Sequence, residues 1–168
     1  MHIREELQIT KPLQPGHEVA LALLLTREYV ARLFEEGLGK PEGISDQQYN
    51  VLRILKGGPQ DGYLVKDLRC RMIYRFADVP RLVNRLEAQG LVKRCENPAD
   101  RRGSRVQITP KGLVLENRMR DRHDAICQQL DRCLSEAERT TLLDLLERLR
   151  NDHRAQLETM LGEVATKS

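Results

Sequence analysis

Residues 78–109 read DVPRLVNRLEAQGLVKRCENPADRRGSRVQIT, and the first twelve of them have the pattern of an amphipathic helix. Apolar residues recur there at spacings of three, four and seven, which predicts a helix over 79–89 with one buried stripe. That stripe consists of Val79, Leu82, Val83 and Leu86. Asp78 is a preferred N-capping residue, Pro80 fits the first turn, and Gly90 ends the helix.

A two-stranded hairpin is predicted directly after this helix. Residues 91–95 are strand-like, the polar loop 96–104 contains a proline and a glycine, and residues 105–108 alternate between polar and apolar. The loop carries, near its tip, Asp100, Arg101 and Arg102. The stretch therefore predicts a helix that leads into a small β wing with arginines at its end.

Composition limits the class of protein. The 168-residue chain is 40% hydrophobic and 32% charged and has no tryptophan, which is typical of one helical domain or one domain with helical extensions. No apolar run approaches the ~20 residues of a membrane span, and residues 1–8 lack the pattern of a signal peptide. We therefore expect a cytoplasmic protein without a membrane partner. Its four scattered cysteines are expected to be free thiols.

Charge is unevenly distributed along the chain. Residues 62–112 hold twelve Lys and Arg against five Asp and Glu, a net charge of +7, whereas the whole chain carries only +3. A basic middle between acidic ends indicates one surface made for a polyanion such as DNA. The alternative is a solvated charged face, because helical proteins often carry this much charge.

The segments before the central stretch are predicted to be mostly helical. Residues 1–14 are expected to form an extended arm, and a helix is predicted over about 17–36, stopped by Gly37 and Gly39. Ser45 and Gln48 form a capping box that opens a second helix, which runs through Lys56. A short strand at 63–64 and a short helix over 65–71 complete this part of the chain.

Two long helices are predicted after the wing. Thr109 caps a helix that begins with Pro110 and runs to about residue 134. Ser135 and Glu138 form a capping box for a last helix to about residue 161. Its apolar stripe has near-heptad spacing and consists of Leu142, Leu146, Leu149, His153, Leu157 and Met160. The stripe indicates packing against a second chain, and packing on the first long helix is the alternative.

A short helix, a turn and a second helix with a basic outer face make a helix-turn-helix. The second helix has the size to enter the major groove, where an arginine fork matches guanine O6 and N7. The candidate recognition residues are Arg75, Asp78, Arg81, Asn84 and Arg85. Asn84 and Arg85 lie one turn deeper and are candidates for phosphate contacts. Asp78 either caps the helix, which we favour, or accepts from cytosine N4; the whole helix is alternatively an ordinary amphipathic surface helix.

The wing residues point to the minor groove. Arg101 and Arg102 sit in a loop too polar to belong to a core, and arginine inserted into a narrow minor groove reads its width. Asp100 is expected to pair with a wing arginine and stabilise the hairpin. The alternative is a charged hairpin without a partner.

These residues resemble the MarR family of bacterial transcription regulators. The resemblance rests on R-L-V-x-R-L-E-x-x-G-L-V at 81–92 and D-x-R-x-x-x-V-x-I-T-x-x-G at 100–112. It implies a mainly α fold with a small β wing, in which the recognition helix is about 76–89 and the wing about 94–106. It further implies a homodimer that binds a pseudo-palindromic DNA operator, usually as a repressor released by a small-molecule effector or an oxidant.

The resemblance also gives a division of the chain. It implies an N-terminal arm and dimerisation helix over 1–40, a winged helix-turn-helix over 45–112, and C-terminal dimerisation helices over 113–168. Many family members have Ser or Thr where this chain has Ala77, Asp78 and Pro80. The family's operator sequence therefore cannot be transferred to this chain.

Other classes of function have less support in the sequence. No catalytic motif or dense carboxylate cluster is present, so we expect no enzyme and no cofactor. The four histidines form no metal-binding pattern, and no cysteine lies near the start of the first long helix, where the family's redox branch carries one. The remaining alternatives are a redox-sensing regulator of the same fold and a helical adaptor that uses the wing to bind protein.

Overall fold

The computed structural model of the chain describes residues 2–74, 76–96 and 104–165, apart from the side chains of residues 155 and 157–165. The first helices are α1 (Ile3–Glu6), α2 (Pro15–Phe34), a π-helical segment (Glu35–Gly39), α3 (Lys40–Glu42) and α4 (Asp46–Lys56). The central elements are β1 (Tyr63–Leu64), α5 (Val65–Arg71), α6 (Val79–Ala88), β2 (Val92–Glu96) and β3 (Ser104–Ile108). The chain continues with α7 (Pro110–Asp131) and α8 (Glu136–Ala165).

The N-terminal segments differ from the prediction in two places. Residues 3–6 form one helical turn inside the arm that was expected to be extended. The prediction that Gly37 and Gly39 stop the first long helix is wrong, because the chain passes through both in the π-helical segment and ends its helical path at Gly43, where φ is +68°. The reason is packing: a Cβ at Gly39 would lie 2.7 Å from the Ile44 carbonyl oxygen, so this glycine permits a close approach.

The predicted capping signals are present. The Gln48 N–H donates to Ser45 Oγ at 3.2 Å and the Ser45 N–H donates to Gln48 Oε1 at 3.0 Å, which closes the capping box of α4. The box of α8 is formed in the same way by Ser135 and Glu138. These caps satisfy backbone N–H groups that a helix start leaves without partners.

The wing is part of a larger sheet than predicted. Its strands are antiparallel in the order β1-β3-β2, so the short strand at 63–64 pairs with β3 and makes the hairpin three-stranded. The register joins Val92 to Ile108 and Arg94 to Val106. Since Val92 and Val106 are buried, one face of the sheet closes over the helix-turn-helix.

The chain divides into two compact units, residues 1–126 and residues 127–168. In the first unit, a core of buried apolar side chains joins α4, α5, α6, the sheet and α7. In the second unit, the described part of α8 exposes Leu142, Leu143 and Leu145. Among the described residues, every helix is too short or too polar to cross a bilayer.

Candidate nucleic-acid interface and pocket

Helix α6 presents a polar face opposite a fully buried one. Its predicted stripe is confirmed as buried, and the stripe consists of Val79, Leu82, Val83 and Leu86. Arg81, Asn84 and Arg85 are exposed on the other face. Asp78 Oδ1 accepts from the Arg81 N–H at 3.2 Å, so of the two roles weighed for Asp78 the cap is the one present. The helix therefore exposes two guanidinium groups and an amide to a partner in front of it.

Arg94 on β2 ties α6 to the sheet. Its Nη2 donates to Asn84 Oδ1 at 2.6 Å and its Nε donates to Glu87 Oε2 at 3.1 Å. Its Nη1 donates to Ser104 Oγ at 3.1 Å, and its backbone N–H donates to Glu87 Oε1 at 3.1 Å. Because the Asn84 carbonyl is engaged, the amide N–H groups of Asn84 are its means of contacting a phosphate or a base.

Arg105 holds the other side of the sheet. It donates through Nε to the Asp61 carbonyl at 3.0 Å and through Nη2 to the Gly62 carbonyl at 2.6 Å. Gly62 has φ of +77°, and a Cβ there would lie 2.0 Å from the Val106 carbonyl oxygen. The turn before β1 thus packs directly, backbone against backbone, on β3.

The C-terminal end of α6 is closed by residues at the start of α7. The Gly90 carbonyl accepts from Thr109 Oγ1 at 2.7 Å, and the Leu91 carbonyl accepts from the Thr109 N–H at 3.0 Å. The Gln89 carbonyl accepts from Lys111 Nζ at 2.7 Å, which brings a positive charge to the negative end of the helix. These contacts fix the end of α6, including Gly90, whose φ is +70°.

We call α5, α6 and the three strands the recognition lobe. Four of the candidate residues, Arg75, Asp100, Arg101 and Arg102, lie outside the described residues. Sequence reasoning missed Arg94 and Arg105, whose partners lie on other segments. The clearest signal available was the placement of one arginine on each wing strand.

The cysteines and histidines form no evident reactive centre in the described part of the chain. Cys70, Cys127 and Cys133 are exposed and Cys95 is half-buried, and none is in a disulfide. Cys95 Sγ donates to Gln107 Oε1 at 3.3 Å across the sheet. Within the same residues, no group of three or more His, Cys, Asp or Glu side chains is placed to hold a metal ion.

A cavity of about 300 Å³ lies in the first unit behind the helix-turn-helix. It is bounded by α2, α4, the segment after α5, and α7. Its aromatic and apolar walls include Phe34, Leu38, Tyr49, Ile73 and Tyr74. Its polar residues are Arg27, Asp46, Asn50, Arg53 and His123. We call this cavity the pocket.

Arg53 and His123 form an oriented pair in the pocket. Arg53 Nη1 lies 2.8 Å from His123 Nε2, and because a guanidinium only donates, Nε2 is the acceptor. The proton of His123 is then on Nδ1, which donates to Asp124 Oδ1 at 3.1 Å. The pair therefore places the charge of Arg53 beside the accepting nitrogen of the His123 ring.

Tyr49 brings an unused hydrogen-bond donor to the same place. Its ring centroid lies 5.8 Å from that of His123, and its side chain is 3% exposed. Burial, with a smaller contribution from the charge of Glu116, raises the pKa of Tyr49 to about 12, so the phenol is neutral at physiological pH. Its buried Oη has no hydrogen-bond partner in the structure. A ligand that accepts a hydrogen bond would supply one.

Asp46 is the second unusual group in the pocket. Its Oδ1 is buried and accepts no hydrogen bond from any residue that the structure describes. Burial and the neighbouring charge of Glu35 both raise the pKa of the Asp46 carboxyl. The pocket thus combines aromatic walls, a cation, a free phenol and a carboxyl, which suits a small molecule with an aromatic ring and polar substituents.

Comparison with known proteins supports one family. The family model described as MarR family matches residues 42–103. A protein from Thauera aromatica, described as a transcriptional regulatory protein for the hcr operon, is 31% identical over 118 residues, 70% of each chain. The homoprotocatechuate degradative operon repressor of Escherichia coli is 26% identical over 129 residues, 77% of this chain and 85% of the relative.

A solved structure has the same architecture. It is that of BpsR from Bordetella bronchiseptica, described for the regulation of its DNA binding by 6-hydroxynicotinic acid. It is 26% identical to this chain, has a TM-score of 0.68, and the match covers 79% of this chain and 98% of BpsR.

Proposed function

Because this chain belongs to the MarR family of transcription regulators, we propose that it is a dimeric repressor that binds a pseudo-palindromic DNA operator and leaves it when a small aromatic acid occupies the pocket. The observation that carries the DNA-binding part is the exposed face of α6, with Arg81, Asn84 and Arg85 held over a buried stripe. The relatives are transcription regulators, so the helical adaptor is not favoured.

The proposed DNA contacts are assigned from the position of each residue along α6. The N-terminal residues of a recognition helix reach base edges, which assigns base contact to Arg81. Asn84 and Arg85 lie one turn deeper and are assigned to phosphates. Arg94 and Glu87 keep the helix and the sheet in a fixed relation, so the wing follows the helix onto the duplex. By the family resemblance, Arg101 or Arg102 enters the minor groove.

The proposed dimer rests on apolar side chains left exposed by each unit. Helix α2 exposes Val19, Leu23, Leu24 and Leu33, and α8 exposes Leu142, Leu143 and Leu145. Burying them against a second copy would remove apolar surface from water. Two recognition helices related by a two-fold axis then lie about one helical turn apart, roughly 34–36 Å. We propose dimerisation roles for 1–40 and 113–168 on this basis.

The proposed effector class follows from the pocket and the relatives. BpsR is described as regulated by 6-hydroxynicotinic acid, and the Escherichia coli relative represses a homoprotocatechuate operon. Both names refer to an aromatic ring with acidic and hydroxyl substituents. Arg53 suits a carboxylate, Tyr49 suits an accepting oxygen, and Phe34 suits the ring. We assign the pocket to this class of effector.

The DNA-binding proposal is tested by fluorescence anisotropy on a footprinted duplex from upstream of the protein's own gene and on a random duplex. Arg81→Ala should weaken specific binding by about 1–3 kcal/mol and largely spare non-specific binding. Lys11→Ala removes the same charge from an exposed site outside the recognition lobe and is the control. Equal losses on both duplexes for Arg81→Ala would contradict base readout.

The effector proposal is tested by calorimetry with homoprotocatechuate and 6-hydroxynicotinic acid, and by release of the bound operator. Arg53→Gln should weaken binding of either acid at least about tenfold, because a charge-assisted hydrogen bond is lost. Tyr49→Phe should weaken it less. Gln47→Ala changes a residue on the same helix that does not line the pocket and should bind normally. Unchanged affinity in Arg53→Gln would remove the pocket from effector binding.

A further inference from the structure

The Phe76 side chain is exposed on the protein surface just before the start of α6. It is 70% exposed, although its sequence neighbours Tyr74 and Ala77 are partly buried against the core. The Ala77 N–H donates to the Tyr74 carbonyl at 3.1 Å, and both of these residues pack against the core. The exposed ring is therefore flanked in sequence by residues that the core holds.

Phe76 also lies just before the N-terminal end of α6, the end to which base contact is assigned. It precedes the N-cap Asp78 by two residues, and Arg81 follows in the first turn. The other exposed apolar residue of this segment, Ile73, is accounted for because it lines the pocket, whereas Phe76 does not. The ring therefore needs a different explanation from that of its neighbour.

The two helices on either side of Phe76 in the sequence expose basic side chains. Helix α5 exposes Lys66, Arg69 and Arg71, and α6 exposes Arg81 and Arg85. An apolar protein partner would have to bury several of these charges, which is costly. The major groove of DNA offers phosphates to the cations and, at each thymine, a methyl group that accepts apolar contact from phenylalanine. Charge complementarity thus favours DNA as the partner of this surface.

We propose that Phe76 is a specificity-determining residue that packs against the C5-methyl group of a thymine in the major groove of each half-site. The proposal rests on the proposed operator binding and adds an apolar contact to the polar contact assigned to Arg81. It supplies base recognition at a helix start where Ala77, Asp78 and Pro80 provide no side-chain hydroxyl. In a symmetric dimer the contacted thymine would recur at equivalent positions of both half-sites.

The test compares thymine with deoxyuridine, which lacks only the methyl group. A duplex is selected from a random pool with the wild-type dimer, and each thymine is then replaced by uracil in turn. At one position of each half-site the replacement should weaken wild-type binding about fourfold, the value of one buried methyl group. Phe76→Ala should bind the thymine duplex about tenfold more weakly and should not distinguish it from the uracil duplex.

Gln60→Ala is the control, since it shortens an exposed side chain outside the recognition lobe, the pocket and the proposed dimerisation segments, and it should keep the thymine preference. Circular dichroism checks that both variants fold, and Phe76→Leu should restore part of the preference if Phe76→Ala is unstable. A thymine preference that survives in folded Phe76→Ala overturns the proposal. So does a dimer that dissociates in Phe76→Ala during sedimentation, because the ring then packs on a second copy. Failure of the wild type to select any duplex would instead refute operator binding itself.

Discussion

The recognition lobe and the pocket differ in how far their polar groups are paired by hydrogen bonds. In the lobe, Arg94 donates hydrogen bonds to three side chains, Arg105 to two carbonyls, and the carbonyls at the end of α6 are occupied by Thr109 and Lys111. Over the described residues, the two buried side-chain atoms without a hydrogen-bond partner, Tyr49 Oη and Asp46 Oδ1, both line the pocket.

The difference shows which region satisfies its own hydrogen-bonding groups. A buried polar group without a protein partner costs about 1–3 kcal/mol, so each of these two atoms lowers the free energy of unfolding. A ligand that satisfies Tyr49 recovers that free energy, whereas the lobe has nothing comparable to gain. Binding of the proposed effector would therefore gain free energy at Tyr49 itself, whatever the conformation of the recognition lobe.

Gly62→Ala should break the lobe most severely. Alanine at φ of +77° is strained, and its Cβ would meet the Val106 carbonyl at 2.0 Å, so we expect a loss of about 3 kcal/mol in unfolding free energy. The measurement is urea denaturation followed by circular dichroism. Gly16→Ala is the control, because nothing lies within 4 Å of its Cβ and it should be neutral or slightly stabilising. Similar midpoints for the two variants would show that the turn at Gly62 is not tightly packed.

Arg94→Ala should uncouple α6 from the sheet without emptying the core. We expect the preference for operator over random DNA to fall about tenfold, or roughly 1.4 kcal/mol, because the bonds to Asn84 and Glu87 are lost. Arg94→Lys should rescue little, since an ammonium lacks the planar fork. Lys93→Ala removes a charge from the next position and should weaken both duplexes equally. A tenfold loss of preference in Lys93→Ala would attribute the effect to charge alone.

Tyr49→Phe should stabilise the protein. Removing the unpartnered hydroxyl relieves its desolvation, and we expect a gain of about 1 kcal/mol at pH 7. Tyr74→Phe is the control, because the Tyr74 hydroxyl is not among the buried unpartnered atoms, and it should change stability little. Thermal or urea unfolding measures both. Destabilisation by Tyr49→Phe would mean that water or another group already satisfies the hydroxyl.

Alkaline pH should reveal the same hydroxyl in a smaller effect. The pKa of Tyr49 is about 12 in the folded protein against an ordinary value of 10.0, so the unfolded chain loses this proton first. Below pH 10 the Tyr49 hydroxyl keeps its proton in both states. As pH rises from 10 through 12, ionisation of this hydroxyl in the unfolded chain lowers the free energy of unfolding. At pH 10.5 the wild type should have lost on the order of 1 kcal/mol, at most, relative to Tyr49→Phe. Parallel stability curves for the two proteins between pH 8 and pH 11 would exclude the raised pKa.

Local signals made much of the recognition lobe and of helix α4 predictable. The spacing of Val79, Leu82 and Leu86 determined the buried face of α6, and Ser45 and Asp78 cap their helices by bonds within three residues. Such contacts are read from neighbours in sequence. The arginine contacts were not predictable in the same way, because Arg94 joins segments that only the folded sheet brings together.

The pocket was hidden for a related reason. Tyr49 falls on the apolar face of α4. The spacing of apolar residues in α4 predicts that Tyr49 is buried, but it does not predict that its hydroxyl lies in a cavity. Gly37 and Gly39 have the sequence pattern of a helix stop, yet the fold uses Gly39 for close packing against Ile44. In both cases the deciding neighbour is distant in sequence or depends on the tertiary arrangement.

Gly112 allows the backbone of α7 to approach the backbone at Leu91 directly. A Cβ on Gly112 would lie 2.1 Å from the Leu91 carbonyl oxygen, so the backbones meet there without a compressible side chain between them. The same helix carries His123 eleven residues later, about 16 Å along its axis. The pocket and a residue just after α6 are therefore joined through one continuous helix, α7, whose backbone meets Leu91 without an intervening side chain.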